Sequence, residues 1–137
     1  MIYGIGIDIV EIERVRKVYN KYGEKFKRRC FLESEIKRSE NKLKTLESYA
    51  KRYAAKEACA KALGTGLARG VFWKDIEIRN NKYGKPYILL HNNALRFLKM
   101  KKINNINVEL SISDEVKYAI ANVILYKWKK IKKYSQT

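Results

Sequence analysis

The sequence is poor in the residues that build several common kinds of site. It has one histidine, His91, and two cysteines, Cys30 and Cys59, which stand far apart with no metal-ligand spacing around them. A Cys/His zinc site and a Ser-His-Asp triad are thereby all but excluded. Two isolated thiols suit a reducing compartment better than a disulfide scaffold. The only proline is Pro86, and no Pro- or Ser-rich linker interrupts the chain, which argues for one compact domain with short connections. No apolar run approaches the roughly 20 residues of a membrane span. The start, Met1-Ile2-Tyr3-Gly4, lacks the charged region and long apolar run of a signal peptide. These absences lead us to expect a cytoplasmic protein. Acidic residues are scarce too: 14 Asp and Glu face 31 Lys and Arg, a net charge of +17. Such a surface attracts polyanions, whether nucleic acid, anionic membrane, a phosphate-rich small molecule or an acidic protein. On charge alone, a non-enzymatic nucleic-acid-binding protein leads.

What is present is one domain's worth of chain, 137 residues with 46% hydrophobic content. Met1 to Asp8 reads as a strand with Tyr3, Ile5 and Ile7 on one face. Gly4, Gly6 and Asp8 share the other face, so bare that another element can approach the backbone there. Asp8 is expected at the strand's end, pointing toward that element. Ile12 to Tyr22 or Phe26 reads as an amphipathic helix, with Gly23 as an early stop. Arg14, Lys17, Lys21, Lys25 and Arg28 form a basic stripe along it. Ser34 to about Leu46 is polar and helical, or a connection. Ser48 to Leu63 has six alanines and neither glycine nor proline, the strongest helix pattern in the chain, with Ser48 as its cap and Gly64 as its stop. Beyond it the pattern is mainly β. Val71–Trp73 and Asp75–Arg79 are strand-like, 80–85 is a turn, and Pro86–Leu90 is the returning strand. A short helix over Asn93–Met100 precedes an alternating strand through Ile106, Val108, Leu110 and Ile112. Tyr118–Tyr126, apolar on both faces, is read as a central strand. Residues 127–137 form a basic tail; Trp128 among its lysines is too little for a membrane-surface reading.

Asp8 and Glu57 each sit beside small residues in an apolar setting. Two carboxylates meeting there repel unless protonated or bridged by a cation. Magnesium takes one or two carboxylates together with substrate phosphates and waters. Lys61 lies one turn beyond Glu57, and Gly64-Thr65-Gly66 offers backbone amides at the helix end. Together they describe a site for a metal-bound pyrophosphate. Plainer readings stand beside it: Glu57 and Lys61 as a helix-surface pair, Gly64 as a helix stop, Asp8 as a cap before the Ile12 helix, and the basic stripe as a solvated face.

Two longer stretches carry a resemblance. Gly6-Ile7-Asp8-Ile9-Val10-Glu11-Ile12-Glu13-Arg14 is similar to the N-terminal signature of the holo-acyl-carrier-protein synthases. Arg52-Tyr53-Ala54-Ala55-Lys56-Glu57-Ala58-Cys59-Ala60-Lys61-Ala62 resembles their second signature, followed as in that family by Gly64-Thr65-Gly66. Gly84-Lys85-Pro86 and the closing hairpin match in order and spacing, so the similarity runs from Met1 to about Tyr126. The resemblance implies a single phosphopantetheinyl transferase domain over 1–126. Its fold would be α+β, an antiparallel-rich sheet packed with a long helix, usually in a homotrimer with active sites between subunits. It implies transfer of phosphopantetheine from coenzyme A to a serine of an acyl carrier protein, with Mg2+, in support of fatty acid biosynthesis. Asp8 and Glu57 then match its magnesium ligands and Lys61 its phosphate-contacting lysine, the three forming the catalytic set. Arg52, Lys61, Gly64, Gly66, Lys85 and Pro86 fall in its coenzyme A segments. Arg14, Lys17, Lys21 and Lys25 match the helix that grips the acidic carrier. One position departs: Glu109 stands where members commonly have a histidine expected near coenzyme A.

Overall fold

The computed structural model describes residues 1–67 and 69–128. Residues 129–137 of the expected basic tail lie outside the described residues. The architecture is α+β, with two antiparallel sheets and one long helix between them. Strand β1 (Ile2–Glu11) leads into helices α1 (Ile12–Tyr22), α2 (Glu24–Cys30), α3 (Glu33–Glu40) and α4 (Thr45–Leu63). Strands β2 (Ile76–Asn80) and β3 (Pro86–Leu90), helix α5 (Asn92–Met100) and strands β4 (Asn107–Glu115) and β5 (Tyr118–Tyr126) complete it. One sheet has the order β1-β5-β4 and the other is the β2-β3 hairpin. The doubly apolar β5 is central, as its pattern predicts.

Helix α4 is the axis of the core. Ala54, Ala55, Ala58, Cys59, Ala60 and Ala62 are all buried, as are Ala119, Ala121, Val123 and Leu125 on the facing side of β5. Small side chains let the helix lie close on the sheet. The glycine face of β1 brings it closer still: a Cβ built on Gly4 would sit 1.9 Å from the Ala62 carbonyl oxygen, and one on Gly6 1.8 Å from that of Ala58. The opposite face of β1 carries Ile5, Ile7 and Ile9, each more than half exposed, beside the exposed Tyr118 and Ile120 of β5.

Several boundaries differ from the sequence pattern for physical reasons. Helix α4 begins at Thr45, and Ser48 does not cap it; its hydroxyl lies 2.8 Å from that of Ser39 inside the helix–helix contact. Burial of Tyr49 and half-burial of Leu46 favour the extra turn over a stop at Ser48. Val71–Trp73 forms no strand. Asp75 accepts the Phe72 amide at 2.9 Å and closes a short 3-10 turn over Trp73–Asp75, so β2 starts only at Ile76. Strand β1 continues three residues past Asp8, because β5 pairs with it as far as Glu11 opposite Tyr118. Asp8 is therefore inside the strand rather than at its end.

Candidate active site

The close approach of β1 to α4 is what assembles the site. Gly4 meets Ala62 and Gly6 meets Ala58, so the next residue on that face, Asp8, is carried toward the turn of α4 that holds Glu57. Lys61, one turn on, reaches back: its Nζ lies 3.1 Å from Asp8 Oδ1 and donates to the Ile7 carbonyl at 2.9 Å. Burial pushes the Glu57 carboxyl above its ordinary value, Asp8 pushes the same way, and Lys61 opposes both. Lys61 pairs with Asp8 across the strand, and among the described residues no ion pair joins it to Glu57, so the plain helix-surface pair is not the one this fold makes.

The donor set fits magnesium. Two carboxylates from two rigid elements offer hard oxygen ligands, leaving the remaining positions for phosphate oxygens and water. Among the described residues no third His, Cys, Asp or Glu gathers there, as a closed structural metal site would need. In this structure the Lys61 ammonium supplies the positive charge beside Asp8.

Arg52 and Pro86 meet elsewhere, in a pocket of about 350 Å³ with Arg38, Lys42, Lys51 and Gly84. Arg52 is buried and donates to the carbonyl of Ile78 at 2.8 Å and to Asn80 Oδ1 at 3.2 Å, so its guanidinium also ties α4 to β2. Lys85, beside this pocket, pairs with Glu109 at 3.5 Å, both side chains being more than half exposed. The unexpected anion at Glu109 therefore has a neighbouring cation. Gly64 ends α4 at φ 82°, but the amides of Gly64, Thr65 and Gly66 donate to the carbonyls of Lys61 and Ala60. The donors expected of that segment are turned onto the helix end.

Of the basic stripe, Arg14 and Lys25 line a groove of about 550 Å³ together with Val18, Phe26, Tyr53 and Trp73. Lys17 and Lys21 stay on the exposed face of α1, and Arg28 is held by Glu24 and Glu33. Sequence reasoning missed Tyr53, although its place four residues before Glu57 puts it on the same helix face, and Trp73, for which no pattern spoke. Their rings lie 4.4 Å apart. It also missed Lys56, fully buried, whose three donors go to Glu35 at 2.7 Å, the Cys30 carbonyl at 2.8 Å and the Trp73 carbonyl at 3.0 Å. His91, the single histidine, sits 2.8 Å from Glu77 at the start of α5. Both cysteines are free and buried, and burial pushes Cys59 up to about 12 and Cys30 up to about 11.

Comparisons with known proteins bear on the family and the fold. The model of the 4′-phosphopantetheinyl transferase superfamily matches residues 4–121. A holo-acyl-carrier-protein synthase of Agrobacterium fabrum is 47% identical over 127 residues, covering 91% of this chain and 95% of that protein. One of Phenylobacterium zucineum is 44% identical over 129 residues, covering 91% and 92%. Among solved structures, the Neisseria meningitidis synthase superposes with a TM-score of 0.81 at 38% identity, covering 93% of this chain and all of that one. The Helicobacter pylori synthase, solved in complex with coenzyme A, gives 0.77 at 33% identity over 89% and 99%. With a family match through nearly the whole described chain, this protein belongs to the 4′-phosphopantetheinyl transferase superfamily, among its holo-acyl-carrier-protein synthases.

Proposed function

We propose that this chain transfers the 4′-phosphopantetheine group of coenzyme A to a serine of an apo acyl carrier protein, in support of fatty acid biosynthesis. The products are holo carrier and adenosine 3′,5′-bisphosphate. The observation that carries this reading is the contact of Lys61 with Asp8 where β1 lies against α4, one helical turn from Glu57. Net charge had favoured a nucleic-acid-binding protein; no observation here supports that class, and the family match accounts for the chain instead.

In this reading Asp8 and Glu57 hold magnesium, which supplies the positive charge that a pyrophosphate needs in order to be attacked. Lys61 places its ammonium on a phosphate oxygen, where charge develops as the bond to the leaving phosphate breaks. The carrier serine oxygen forms the new bond to the phosphorus nearer the pantetheine, and adenosine 3′,5′-bisphosphate departs. The cationic pocket around Arg52 and Pro86 suits the nucleotide end of coenzyme A, with Lys85 at its margin. The groove flanked by Arg14 and Lys25, with Lys17 and Lys21 beyond it, suits an acidic carrier whose serine must reach Asp8 and Glu57. The exposed apolar face of Ile5, Ile7, Ile9 and Ile120 supports self-association, and the family resemblance makes a homotrimer our proposal. No helix among the described residues is long and apolar enough to cross a membrane, and we place the protein in the cytoplasm. The test is intact-mass spectrometry of an apo carrier from the same source, incubated with this protein, coenzyme A and Mg2+. A gain of the phosphopantetheine mass that needs both additions is expected. A folded protein that yields no mass gain with any divalent ion overturns the proposal.

A further inference from the structure

We propose that Lys61 is the site's resident counter-ion: before substrate binds, its ammonium holds the place beside Asp8 that a divalent cation must take, so cation binding is coupled to a phosphate ligand that draws Lys61 away. The inference rests on reading Asp8 and Glu57 as cation ligands, and it deepens that reading.

The resting position of Lys61 is anchored at two points, 3.1 Å from Asp8 Oδ1 and 2.9 Å from the Ile7 carbonyl oxygen. The Asp8 side chain is only 16% exposed, whereas that of Lys61 is 51% exposed. The carboxylate is thus fixed and sheltered, while the lysine is free to swing on its four-carbon stem. A divalent ion bound directly to an Asp8 oxygen sits about 2 Å from it. That places two positive charges within a few ångströms of an ammonium that already touches the same carboxylate. The two cations compete for this position. A pyrophosphate removes the conflict, because its oxygens offer Lys61 a new anion and offer the metal further ligands. Cation and coenzyme A should therefore favour each other's binding, and linkage requires the effect to be equal in both directions.

The experiment measures Mn2+ binding to the full chain from the paramagnetic resonance of free Mn2+, at fixed pH and salt, with and without coenzyme A. The variants are Lys61→Met, Lys61→Gln, Lys61→Arg, Asp8→Asn and Glu57→Gln, each checked for folding by circular dichroism. Without coenzyme A, Lys61→Met and Lys61→Gln should bind Mn2+ roughly three- to tenfold more tightly than wild type, the scale of a half-exposed ion pair acting on a divalent ion. Lys61→Arg should stay near wild type, and coenzyme A should tighten Mn2+ binding less in Lys61→Met than in wild type. If neither neutral variant binds Mn2+ more tightly than wild type, while Asp8→Asn weakens binding, the counter-ion proposal is overturned and the carboxylate site stands. If Asp8→Asn and Glu57→Gln both bind Mn2+ as wild type does, the site itself is misread and the proposal falls with it.

Discussion

Gly6→Ala tests the contact on which the whole site depends. The added Cβ would lie 1.8 Å from the Ala58 carbonyl oxygen and 2.7 Å from the Ala62 amide nitrogen, whereas ordinary contact begins at 3.4 Å. Relief from 1.8 to 3.4 Å needs an opening of about 1.6 Å between β1 and α4. Both obstacles are backbone atoms, so no rotamer change can supply it. The cost should reach the upper end of the overpacking range, about 3 kcal/mol. In a domain of this size that lowers the melting temperature by on the order of 10 °C. The functional loss should be larger than the stability loss suggests. Asp8 is two residues from Gly6 and moves with it, and a misplacement of about 1 Å in a reacting geometry costs on the order of a hundredfold in rate. Calorimetry gives the first quantity and carrier modification at a temperature where the variant is folded gives the second. Ala58→Gly should not rescue the variant, because the clash is with a carbonyl. Wild-type melting and turnover in Gly6→Ala, or rescue by Ala58→Gly, would refute the packing account.

Glu57→Gln should abolish turnover yet stabilise the substrate-free protein at neutral pH. The folded carboxyl titrates above its ordinary 4.5, so the folded state binds more protons than the unfolded state and wild-type stability falls as pH rises through that window. Thermal melts of the two proteins should therefore diverge above about pH 4.5, with the variant the more stable; converging curves count against it. Lys56→Met leaves the fully buried Glu35 unpaired and should cost about 3–5 kcal/mol in urea unfolding, partly recovered by adding Glu35→Gln. Glu109→His removes the anion that pairs Lys85, so the KM for coenzyme A should fall by up to about fivefold, the limit for an exposed ion pair. The KM for carrier should not follow, and unchanged coenzyme A kinetics would place the pair away from the ligand. Charge reversal with Arg14→Glu and Lys21→Glu should raise the carrier KM and flatten its salt dependence while sparing coenzyme A. A double variant that handles carrier normally at low salt moves the docking surface elsewhere.

The elements with one dominant cause were legible in the sequence. The alanine run of α4, the bare Gly4-Gly6-Asp8 face of β1 and the doubly apolar β5 each admit few alternatives, and each took the expected role. The reach of Lys61 to Asp8 was not visible, because it depends on the depth to which the glycine face lets α4 descend. The pocket beside Arg52 was half visible: the motif gave Arg52 and Pro86, but Arg38, Lys42 and Lys51 join them only through the folding of α3 and α4 against the β2-β3 hairpin. Ser48 and Val71 misled for the same kind of reason. A cap preference and a β-branched residue are local signals, and the burial of Tyr49 and the Asp75–Phe72 turn outweighed them. Lys56 was hidden most completely. A lysine in a helix reads as solvated, and only the convergence of Glu35 and two backbone carbonyls makes its burial stable.

We propose the Asp8–Glu57 pair as the reaction centre. Its most direct test is the single-turnover rate of carrier modification by Glu57→Gln, with coenzyme A and carrier both saturating and Mg2+ present. Loss of a ligand to the charge that activates the pyrophosphate predicts a rate about a hundred- to a thousandfold below wild type, with the variant still folded. A Glu57→Gln rate within a few-fold of wild type would contradict the account.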